Sequence, residues 1–124
     1  MSAALVGGIA AGGAVGAAAR MFMDGAVSAR WPGEFPKATL FINITGSLLL
    51  GVLTGLVLFH ETPDGWRSVL GTGFCGGFTT FSTASFASVR LAQEGRGVQA
   101  AFNVLGTLAL CTIAAVLGIA LAAP

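Results

Sequence analysis

Gly71-Thr72-Gly73-Phe74-Cys75-Gly76-Gly77-Phe78-Thr79-Thr80-Phe81-Ser82-Thr83 is the stretch that decides the fold. It sits inside an apolar run long enough to cross a bilayer, yet its adjacent glycines and paired threonines disfavour a continuous helix. Irregular backbone at membrane depth persists only inside protein or along a cavity. A break here exposes carbonyls able to coordinate a small cation, and a helix start whose N–H groups favour anions.

The rest of the chain supports a membrane setting. Of its 124 residues 55% are hydrophobic and 9% charged, against roughly 25% charged in an ordinary globular domain. Mean hydropathy is +0.87, and a soluble fold this apolar could not cover its surface with polar groups. About 20 apolar residues cross roughly 30 Å of hydrocarbon. Four spans are predicted on that basis, at about 3–23, 38–59, 66–91 and 98–122, forming one domain over 1–124. Ala17-Ala18-Ala19 resembles a cleavage site, but no basic residue precedes it, so the first segment is read as a span. Trp31, His60 and Trp66 fall at predicted interfaces.

Arg20, Arg30, Lys37, Arg90 and Arg96 flank the first and third connectors, while the opposite side offers Arg67 and the terminal amine. The positive-inside rule places those connectors in the cytoplasm of a multi-pass cell-membrane protein and both termini outside.

Polar groups within the spans are patterned. Thr39, Asn43 and Ser47 recur every fourth residue in span two, as do Asn103, Thr107 and Cys111 in span four. Either stripe alone suits interhelical hydrogen bonding; both together with span three suggest a hydrated or ion-lined path. Gly8, Gly12 and Gly16 form a close-packing seam on span one that Arg20 continues, and Gly51 and Gly55 a second seam. Arg20 suits either interfacial snorkelling or an aqueous vestibule. Four helices this small enclose little interior, so a dimer completes the pathway. No Asp or Glu lies within a predicted span, which disfavours a small multidrug-type exporter driven by proton exchange. No nucleophile–base set or metal cluster suggests an enzyme. Cys75 and Cys111 read as small apolar side chains.

The run Gly76-Gly77-Phe78-Thr79-Thr80-Phe81-Ser82-Thr83 closely resembles the signature of the fluoride channels called Fluc or CrcB. Gly12 to Ala17 with Arg20, Thr39 to Asn43 with Gly46, Ser47 and Gly51, and, more loosely, Leu117-Gly118 resemble the family's other spans. The resemblance implies a subunit of an antiparallel, dual-topology-type dimer that exports fluoride passively and holds a structural sodium ion. The backbone carbonyls of Gly76 and Thr79 would be sodium ligands. Asn43 would donate to fluoride, and Phe81 would line the pore. Thr39, Ser82 and Thr107 would lie along the polar track, with Arg20 at the vestibule. Two departures stand out: Ala84 replaces a second pore phenylalanine, and Ala87 the glutamate that follows. Phe86 is two positions on, about 200° around a helix, and cannot take that role. In span four, Asn103 stands at a tyrosine position.

Opposed homodimers need a chain that inserts both ways, which the charge bias disfavours. Some family members pair two related chains of opposite orientation. The expectations are therefore a homodimer, or the fixed-orientation half of a heterodimer, including a half-active or non-conducting structural subunit.

Overall fold

The computed structural model describes residues Met1 to Pro124 and contains helices and connectors only. Helix α1 is Ala3–Arg30, opened by a Ser2 side chain that accepts from the Leu5 N–H at 3.1 Å. It runs seven residues past the predicted end of its span at residue 23, so 24–30, expected as connector, is helix. Twenty-eight helical residues reach about 42 Å, more than the hydrocarbon core requires. The apolar pattern stopped at Asp24, but Val27 is buried and carries the helix on. Trp31, restricted by Pro32, ends it.

Helix α2 is Lys37–His60 and begins directly after Pro36. The third predicted span is two pieces. Residues 64–78 form α3, whose middle, Arg67–Cys75, is a π-helix, and Ser82–Gln93 form α4. Helix α5 is Gly97–Ala122. The turn from α4 into α5 uses Gly95 at φ +77, where Arg96 N–H reaches back to the Leu91 carbonyl at 2.8 Å. Helices α1, α2 and α5 are each long and apolar enough to cross a membrane, with α3 and α4 supplying the interrupted fourth passage.

Packing pairs next-but-one neighbours: α1 lies chiefly on α3, and α2 chiefly on α5. The glycine seam explains the first pair. A methyl added at Gly12 would stand 2.6 Å from the Val69 carbonyl oxygen, and one at Gly73 would stand 2.7 Å from that of Ile9. At Gly16 and Gly77 it would overlap the backbone of Phe74 and Gly13. The second seam is extended by a residue that span-two spacing could not reveal. Gly51 and Gly55 meet Ala115, Ile119 and Ala122, while Gly118 meets the α2 backbone in return. His60, expected at an interface, is exposed and approaches the Ala122 carbonyl through Nε2 at 2.6 Å, tying the ends of α2 and α5.

Candidate functional site

The break falls on the paired threonines, while Gly76 and Gly77 remain helical. Thr79 N–H makes the last rung to the Cys75 carbonyl at 2.8 Å, and Thr79 then turns extended at φ −78, ψ 160. Asn43, buried on α2, takes over. Its Nδ2 donates to the Thr80 carbonyl at 2.9 Å, and its Oδ1 accepts from the Thr80 N–H at 2.8 Å. One side-chain amide thus satisfies both backbone groups of a residue that helix geometry has abandoned. Thr80 in turn starts α4, since its hydroxyl accepts from the Thr83 N–H at 3.2 Å. The carbonyls of Gly76 and Thr79 accept no hydrogen bond from the turn that follows.

A groove of about 310 Å³ opens on this break. Asn43, Ser47, Gly76, Thr79, Phe81 and Thr107 are among its lining. All six were singled out in the sequence for an ion path or cation site, and the fold brings them together. Phe81 is 87% exposed, so the groove lacks a wall on that side. Gly46 matters here because a methyl on it would strike the Thr79 side chain.

Arg20 and Thr39 stand apart from that groove. They line a smaller chamber of about 170 Å³ together with Asp24, Thr80 and Thr83. Thr80 belongs to both spaces, so the Asn43 clamp forms part of the partition between them. Ser82 lines neither; its hydroxyl lies 3.3 Å from that of Thr80. Ala87 and Phe86 line an outer chamber of about 340 Å³ with Lys37 and Arg90, so Phe86 does not replace the missing ring beside Phe81.

Asn103 turns away from the groove. Its Nδ2 donates to Ser88 Oγ at 2.8 Å and to the Ala84 carbonyl at 3.3 Å. Its Oδ1 and the Thr107 hydroxyl are buried without a partner. Ala84, Ser88, Asn103 and Thr107 also line a cavity of about 460 Å³, open where a larger side chain at position 84 would fill space. Sequence reasoning missed Thr80 and Ser88. Thr80 was quoted in the motif without a role, because a backbone clamp leaves no spacing signature in the clamped residue.

A family model described as CrcB-like protein, Camphor Resistance, matches residues 8–119. The chain belongs to the CrcB family. Curated members of it share substantial identity along almost the whole chain. A protein named fluoride-specific ion channel FluC 1 from Leifsonia xyli subsp. xyli is 46% identical over 119 residues, covering 96% of this chain and 87% of its own. Fluoride-specific ion channel FluC of Rhodospirillum rubrum is 42% identical, covering 89% and 88%. Fluoride-specific ion channel FluC 2 of Cutibacterium acnes is 45% identical, covering 88% and 89%. These CrcB relatives are named as ion channels, not enzymes, and the apolar helices of this CrcB chain make it a multi-pass membrane protein.

Proposed function

We propose that this chain is a subunit of a fluoride-selective channel through which fluoride leaves the cell passively. The observation that carries the reading is the Asn43–Thr80 clamp, which holds the third span open beside a groove lined by Asn43, Phe81 and Thr107. Three curated relatives are named fluoride-specific channels. One Nδ2 hydrogen of Asn43 is spent on Thr80, and the amide's second hydrogen remains for an anion. A ring edge carries partial positive charge, so Phe81 faces fluoride without the full cation that would trap it. Thr39 and Thr107 supply hydroxyls along the route, Ser82 supports Thr80, and Arg20 draws anions to the inner chamber.

The Gly76 and Thr79 carbonyls suit a structural sodium ion. Hard cations take oxygen ligands, and these two oxygens lack hydrogen-bond donors from the following turn. A bound sodium ion would supply positive charge that holds the break together.

Two chains of opposite orientation would close the side that Phe81 leaves open. The basic bias toward the first and third connectors supports a fixed orientation, with both termini outside. The relatives numbered 1 and 2 are in keeping with paired subunits. A second reading follows, in which this chain is the oriented, half-active half of a heterodimer.

The test is fluoride efflux from liposomes containing the purified chain, read with a fluoride electrode against a chloride control. Fast fluoride-selective efflux is expected if the chain suffices alone. If well-folded chain is silent both alone and when coexpressed with a related chain, the channel reading is lost. Labelling of introduced cysteines from each side decides orientation, and equal labelling of both orientations would remove the heterodimer.

A further inference from the structure

The extension of α1 past residue 23 brings a carboxylate into the mouth of the path. Asp24 stands one turn beyond Arg20 on the same helix. It lines the inner chamber with Arg20 and Thr39, and it also lines the outer chamber with Lys37 and Arg90. Asp24, Thr39 and Thr83 are common to the linings of the two spaces and stand where the two meet.

The charges lining the two chambers sort into paired and unpaired. Glu34 is held by Arg96, and Arg90 Nε meets Glu94 at 3.1 Å. Lys37 Nζ reaches only the Pro32 carbonyl, at 3.4 Å. Asp24, Arg20 and Lys37 take part in no ion pair. Of the charged residues that line the two chambers, two cations and one carboxylate are therefore unpaired and face an entering anion.

We propose that Asp24 is a specificity-determining residue of the mouth, whose negative charge offsets Arg20 and Lys37 so that a small anion is admitted without being concentrated there. The inference rests on the fluoride-channel reading. Asp24 touches neither the Asn43 clamp nor the Phe81 groove; it acts on the ion before the ion reaches them. Removing the charge leaves the cations unopposed. One elementary charge at one or two helix turns through water changes local ion occupancy about two- to fourfold.

The field can be read without conduction. Ser28 is exposed and lines the outer chamber. In an S28C, C111A background, the rate of modification by an anionic methanethiosulfonate is compared with that by a neutral one. D24N is expected to raise this ratio about two- to fourfold at about 10 mM ionic strength, where the Debye length is about 30 Å. The increase should vanish near 1 M salt, and D24E should match the parent. A ratio that D24N leaves unchanged overturns the proposal.

Efflux from liposomes is the second readout. D24N is expected to speed fluoride release by a similar factor at subsaturating fluoride, converging with the parent at saturation. A raised thiol ratio with unchanged efflux from a conducting parent also overturns it, because the field would not act on the permeating ion. If neither protein conducts, alone or coexpressed with a related chain, while the ratio rises, the channel reading fails and the charge assignment to Asp24 stands.

Discussion

The two halves of the third span are built in opposite ways. Residues 64–78 lie against α1 almost backbone to backbone, with glycines on both sides and little room for side chains. Residues 82–93 lie against α5 through side chains that hydrogen-bond, as Ser88 and Asn103 do, and leave a cavity of about 460 Å³ beside them. Between them stands Asn43, which holds the junction from a third helix. Close backbone contact fixes position but supplies no chemistry. The looser half carries hydrogen-bonding side chains such as Ser88.

The contrast is most easily broken in the tight half. Gly76 and Gly77 are sequence neighbours, yet a methyl at Gly77 would overlap Gly13, whereas one at Gly76 meets nothing within 4 Å. Gly77→Ala is expected to destabilise the protein by about 1–3 kcal/mol, the usual cost of overpacking. Gly76→Ala should leave stability unchanged or slightly raised, since Gly76 is already helical. Thermal unfolding in detergent separates the two; equal effects would dissolve the seam as an explanation.

At the junction, Asn43→Asp removes the donor to the Thr80 carbonyl and puts a carboxylate in its place. Loss of fluoride efflux is expected with assembly intact by gel filtration. Asn43→Ala should cost about 1 kcal/mol, because it strands the part-buried N–H and carbonyl of Thr80. Normal efflux through Asn43→Asp would remove this side chain from the conduction path.

In the loose half, Ala84→Phe places a ring in existing space, so stability should change by less than about 1.5 kcal/mol. Increased fluoride efflux would identify position 84 as part of the path, and unchanged efflux would place it off the route. The smallest effect is expected for Asn103→Leu. It forfeits two hydrogen bonds but also removes a buried oxygen that has no partner, so the net change should stay within about 1 kcal/mol. A loss of several kcal/mol would mean that the loose half depends on that amide more heavily than the junction depends on Asn43.

Much of this was legible from residue spacing. Gly8, Gly12 and Gly16 announced their seam because one helix face recurs every three to four residues, and Thr39, Asn43 and Ser47 announced their stripe likewise. The interruption of span three was legible within 71–83, but glycines and threonines alike marked it; the helix passes Gly76-Gly77 and fails at Thr79, where Asn43 offers a better partner to the next N–H. That competition is tertiary and leaves no mark in local sequence. The length of α1 was misread for a related reason: hydropathy ends where polar residues begin, and helix does not. Hydropathy alone puts Asp24 in a connector, whereas the helix carries it one turn beyond Arg20.

The next-but-one pairing of the helices also governs the order in which the protein can be assembled. No two consecutive spans form the principal contact of the fold, since α1 waits for α3 and α2 waits for α5. During synthesis α1 must therefore stand in the bilayer with its glycine face unmatched until α3 follows, and α2 until the last helix is made. Non-local pairing of this kind slows folding, and a waiting glycine face is open to the wrong neighbour. A chain truncated after α2 would lack the principal partners of both its helices, and only completion of the last span supplies the second of them.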